Sequence, residues 1–218
     1  VSTVALDTPW LEFDLGCDMR VLSWAIHRPG LVTARRILWR EVRNADLPAD
    51  LDVGRWLTSA LAARGALDAV TFLTSRDIAC HHVAEFEVEG VTATAVATVG
   101  LSNAEAIGTR LNRSGHDWGT INVALRLTLV GGLADAALIE ALSLAASART
   151  AAVMEAGFDL PTGRATGTGT DCIAVAAPPG EIAYAGMHTA IGEATGRAVH
   201  QAVSLGADEW MRTVRRRL

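Results

Sequence analysis

Lysine is absent from this 218-residue chain, so all 19 basic residues are arginine. Its absence excludes a Schiff-base lysine, a lysine general base and the lysine of a Walker phosphate loop. Cysteine is scarce: Cys17, Cys80 and Cys172 are odd in number, far apart and without a CxxC pair. Neither a zinc ribbon nor a disulfide framework is expected from them. No HExxH motif and no spaced Cys/His set occurs, so no protein-bound metal is expected. No run of about 18 apolar residues reads as a membrane span. No basic region followed by an apolar segment reads as a signal peptide. A reducing cytoplasm is the expected compartment. Charged residues are only 20% of the chain, the formal net charge is −5, and the one basic cluster is Arg215, Arg216 and Arg217. Such a run is ordinarily a solvated tail, and neither nucleic acid nor a membrane surface is an expected partner.

What is present is apolar and small. Half of the chain is hydrophobic, largely Ala and Val, and the mean hydropathy is +0.26. This length and composition support one sizeable core, and a single domain spanning 1–218 is expected. A homodimer is the default prior for a soluble enzyme of this size.

The pattern along the chain begins with β structure. Phe13 to Leu22 and Val32 to Val42 read as strands around a turn at Arg28, Pro29 and Gly30. A short helix is expected over Val53 to Ala63, ended by Gly65, and a buried strand over Val70 to Thr74. Ala84 to Val99 reads as a hairpin turning at Glu89 and Gly90. In Thr120 to Val130 the alternation places Ile121, Val123, Leu125, Leu127 and Leu129 on one face. A long Ala/Leu-rich helix is expected over Ala134 to Ala156, a Gly/Thr loop over Thr162 to Thr170, and a strand over Cys172 to Ala177. A second long helix is expected over Ala185 to Leu205. Strands crowd the first half and long helices the second, so the fold class is α+β, a largely antiparallel sheet packed against long C-terminal helices.

Three constellations could carry chemistry. In Thr166-Gly167-Thr168-Gly169-Thr170-Asp171-Cys172, alternating glycines permit close approach and positive φ, and such a loop could aim N–H groups at an oxyanion. A tight turn with Asp171 capping backbone accounts for the same residues equally well. In Tyr184 to Glu193, His188 lies near a helix N-terminus, where the macrodipole favours a neutral imidazole. A histidine there is also an ordinary structural residue. Glu193 within an apolar helix needs a partner if buried. Ser102 and Asn103, with Asn122 opening a core strand, are donors for a substrate carbonyl, or simply caps and turns. His81 and His82 are adjacent and would point to opposite faces of a strand.

The strings TVGLSNA (98–104), GTGTDC (167–172) and YAGMHTAIGEATGRAV (184–199), with AVTFLTSRD (69–77) and GTINVALRL (119–127), resemble the adenosylcobinamide amidohydrolases in the same order. The resemblance covers residues 10–205. It implies hydrolysis of the amide joining a corrin propionate to aminopropanol, giving adenosylcobyric acid for cobalamin salvage. Cobalt would arrive within the corrinoid substrate, with no other cofactor. On the motif positions, Asp171, His188 and Glu193 are the expected acid/base group acting on water, with Thr170 or Cys172 as covalent alternatives. Ser102, Asn103, Asn122, Thr168 and Thr170 are the expected substrate-binding residues. A large amphipathic corrinoid implies a broad apolar cleft, with Trp10, Trp24, Trp39 and Trp118 as candidate lining. Two other readings use the same residues: a corrinoid-binding module without catalysis, and a metal-dependent amidohydrolase using His116, Asp117 and His188.

Overall fold

The computed structural model describes residues 3–113 and 118–215. His116, Asp117, Arg216 and Arg217 lie outside the described residues. In chain order the elements are β1 (Thr3–Asp7), β2 (Trp10–Ser23), β3 (Gly30–Glu41), α1 (Val53–Arg64), β4 (Val70–Thr74), β5 (His81–Val88), β6 (Val91–Val99) and β7 (Ala104–Glu105). Then follow β8 (Ile121–Thr128), α2 (Asp135–Glu155), β9 (Asp159–Leu160), β10 (Gly163–Arg164), β11 (Gly167–Thr168), β12 (Cys172–Ala177) and α3 (Ala190–Thr213). The main sheet has the order β4-β3-β2-β12-β8-β6-β5, with β1 paired to β2. Its pairings are antiparallel except β3 with β4 and β12 with β8. Parallel neighbours need a crossover, and α1 and α2 supply the two. The architecture is the expected α+β one, with a mostly antiparallel sheet and long C-terminal helices.

Alternation along the strands sorts the core into two faces. Ile121, Val123, Leu125 and Leu127 of β8 join Ala93, Ala95 and Ala97 of β6 and Ile173 and Val175 of β12 under α2 and α3. The alanines let α3 sit close on β6. At Gly206 the approach is tight, since a Cβ there would meet Val99 Cγ2 at 2.6 Å. The opposite face carries Ala124, Cys172, Ala174 and Ala176, which cluster with Phe13, Ile37, Trp39 and Phe72 of the other half of the same sheet. One face of one sheet can fill its own core only if the sheet curls. A bond from Asn122 Nδ2 to Leu73 O, 2.8 Å, joins β8 to β4 across the curl. Outside it, α1 covers Leu38 and Trp10 through Leu57 and Leu61.

The local signals hold at α1, where Asp52 caps the N-terminus and Gly65 ends the helix in the left-handed region at φ 66°. The last helix differs from expectation at its start. It begins at Ala190 because Thr189 Oγ1 accepts from Gly192 N at 3.0 Å and donates to Gly186 O at 2.8 Å. The run from Ala185 to His188 is therefore a loop. Contrary to the reading of the apolar runs, α2 is long and apolar enough to cross a membrane, with 21 residues and hydropathy 1.4. In this fold it packs on α3 and β12, burying Leu138, Ala141, Ala145 and Val153.

Trp39 is fully buried and meets Phe72 edge to face at 5.1 Å between ring centroids. Trp39→Ala is expected to cost about 3–5 kcal/mol of stability, read as a lowered midpoint in urea unfolding.

Candidate functional site

The Gly/Thr loop is built around the carboxylate of Asp171, whose side chain is 7% exposed. Oδ1 accepts from Thr168 Oγ1 at 2.5 Å and from Ile121 N at 3.1 Å. Oδ2 accepts from Thr168 N at 3.0 Å and pairs with Arg149 Nη1 from α2. Gly167 is required by space: a Cβ there would lie 2.5 Å from both Arg149 Nη1 and Asp171 Oδ2. Gly169 has open space around it, and neither glycine has a positive φ. The expected positive φ is therefore absent at both, and close approach accounts for Gly167 alone. A carboxylate offers about four lone-pair sites. Here all four are taken, so Asp171 has no free site to accept a proton from water.

Beyond Asp171 the polar residues form a chain. Thr170 Oγ1 donates to Gly119 O at 2.8 Å and accepts from Asn103 Nδ2 at 3.3 Å. Thr120 Oγ1 donates to Thr170 O at 2.9 Å and lies 3.2 Å from Asn122 Oδ1. Gly119 is again a matter of space, since a Cβ would meet Ser102 N at 2.7 Å and Asn103 Oδ1 at 2.8 Å. The β8 and β12 starts lie side by side because the two strands are parallel, with Asn122 opposite Cys172.

This corner opens into a cleft of about 970 Å³ at the end of the curl. Thr120, Asn122, Thr170 and Asp171 form its polar wall. Trp24, Ile26, Val42, Phe72 and Trp118 give it apolar surface, with Arg43 also on its lining. Arg43 pairs with the Glu41 carboxylate and donates to Ser75 O at 3.2 Å, which ties the end of β3 to the loop after β4. Of the four tryptophans proposed for such a cleft, Trp24 and Trp118 line it, whereas Trp10 and Trp39 are core residues.

The structure therefore brings together Asp171, Thr168, Thr170, Asn103 and Asn122. Ser102 lies behind them, its carbonyl accepting from Arg113 Nη1 at 2.9 Å. His188 and Glu193 are elsewhere. Asp171 precedes β12, whereas His188 follows its far end, and six strand residues span about 20 Å. The loop holding His188 is tied to α2 by Ala185 N donating to Glu140 Oε2 at 2.6 Å. Arg149, the partner of Asp171, lies nine residues further along that helix. Glu193 is on the surface at 46% exposure and pairs with Arg197 Nη2 at 2.7 Å. The expected grouping of Asp171, His188 and Glu193 is thus not assembled, because the two segments flank opposite ends of one strand. Arg149 and Thr120 were not singled out as functional groups from the sequence. Arg149 left one signal there, a lone cation in the middle of an Ala/Leu helix.

Burial pushes the Arg149 guanidinium below its usual value. Burial also pushes the Cys172 thiol up to about 12, so at neutral pH it is a thiol and a poor nucleophile. Among the described residues no three His, Cys, Asp or Glu side chains group as a metal site would require. The arrangement can hold an amphipathic molecule on its apolar wall and hydrogen-bond an amide at its polar corner.

Residues 2–215 match the family model described as adenosylcobinamide amidohydrolase. No curated protein matches the chain.

Arg149→Met strips Asp171 of its cation and is expected to destabilise the fold by about 3–5 kcal/mol. Thermal unfolding of the single variant against Arg149→Met with Asp171→Asn measures it, and the double variant should recover part of the loss. For the thiols, iodoacetamide at pH 8 followed by peptide mass analysis should modify exposed Cys17 well before Cys172.

Proposed function

The chain belongs to the adenosylcobinamide amidohydrolase family, and from that premise we propose that it cleaves the aminopropanol amide of adenosylcobinamide by hydrolysis. The products are adenosylcobyric acid and aminopropanol, and the acid returns to cobalamin synthesis. The family match over nearly the whole chain carries this reading. The cleft supports it, because a corrinoid has a large apolar macrocycle fringed with amide side chains, and the wall pairs aromatic surface with amide and hydroxyl groups.

In this reading the substrate amide enters the corner of Asn122, Thr120 and Thr170. The second N–H of the Asn122 amide donates to its carbonyl and stabilises the charge that grows on that oxygen during attack, and the two hydroxyls, whose protons are engaged by Gly119 O and Thr170 O, accept from its N–H. Asn103 lies behind Thr170 and orients its hydroxyl. Asp171 keeps its charge paired and holds the Thr168 to Thr170 turn in place. Cobalt is carried by the substrate, and no protein-bound cofactor takes part. The reaction is placed in the cytoplasm.

Mass analysis of adenosylcobinamide after incubation with the purified protein tests the activity. The expected result is adenosylcobyric acid with free aminopropanol. Intact corrinoid that still binds would replace catalysis with a binding role. Asn122→Ala is expected to lower kcat/KM by about tenfold or more, and an unchanged kcat/KM would remove Asn122 from the site.

A further inference from the structure

A tryptophan that is half exposed and yet fixed in place invites a reason. Trp24 follows the end of β2 and is 48% exposed. Its indole Nε1–H donates to Asp171 O at 2.7 Å. The indole is thus held by this hydrogen bond at the start of β12, and much of its surface stays open to the cleft beside Ile26. Such a side chain surrenders little rotamer freedom when a ligand covers it, which is the benefit of preorganisation. An aromatic face suits a broad, flat, apolar ligand.

We propose that Trp24 is the seat of the corrin macrocycle and holds that seat in register with the amide corner through its bond to Asp171. The assignment rests on the corrinoid reading above. One residue joins the two halves of the site. The Asp171 carbonyl receives the indole, and its carboxylate organises Thr168 and the backbone of Ile121. A ring resting on Trp24 therefore reaches Asn122 and Thr170 at a distance set by the protein.

Two substitutions separate the two duties. Trp24→Phe keeps an aromatic face and loses the N–H donor, whereas Trp24→Leu loses both. Calorimetric titration with adenosylcobyric acid, which carries the ring and cannot turn over, reads the seat alone. Trp24→Leu should weaken this binding about tenfold, and Trp24→Phe should leave it within about twofold. Turnover of adenosylcobinamide reads the register. Trp24→Phe should lower kcat about fivefold with KM nearly unchanged. Unaltered binding by Trp24→Leu, or no binding by the unmodified protein, overturns the seat. Wild-type kcat in Trp24→Phe overturns the register. If the unmodified protein binds the acid but does not hydrolyse adenosylcobinamide, the proposed reaction fails, and the titrations alone decide the seat.

Discussion

The buried pair between Arg149 and Asp171 is the constraint on which the site depends. A carboxylate taken out of water needs compensation for nearly its full hydration. Here the compensation comes from three parts of the chain: the α2 guanidinium, the first N–H of β8 and the Thr168 backbone and hydroxyl. Satisfying one charge therefore fixes a helix, a strand end and a loop relative to one another. The polar corner is the outer surface of that arrangement.

The sheet's curl supplies the rest. A largely antiparallel sheet covered by helices on one face would normally leave its other face to water. This one turns that face inward, packing Trp39 and Phe72 against Ala124 and Ala174. The alanines on β12 and β8 leave room for the larger side chains opposite. Where the curl opens, its apolar interior continues into the cleft through Phe72 and Val42 and meets the polar ends of β8 and β12. A site that joins apolar wall to amide-binding corner thus follows from how the core is closed.

The contrast between Glu193 and Arg149 shows why charges in apolar helices are hard to read. Both interrupt Ala-rich sequence. Glu193 drew attention because a carboxylate within an apolar helix needs a partner if buried, yet it lies on the outer side of α3 and is neutralised by Arg197 one turn on. Arg149 faces inward and is the partner of the site's buried acid. Helix periodicity could not separate them, since α2 is apolar around much of its circumference. Which face is outward depends on what packs there.

The elements themselves were legible from local physics. Alternation marked β8, Val70 to Thr74 appeared as β4 within its bounds, and Gly65 marked a helix end through its freedom at positive φ. Asp171, Thr168, Thr170, Asn103 and Asn122 could be named as a set of polar groups in Gly/Thr-rich and strand-end segments. The sequence by itself determined the strands, the helices and the chemical character of these groups, because each depends on neighbours a few residues away. Only the tertiary structure decided that β12 lies parallel to β8, that its two ends hold Asp171 and His188 apart, and that Trp24 meets Asp171. Those relations come from strand pairings and contacts across 50 to 147 positions, which no local pattern of residues encodes.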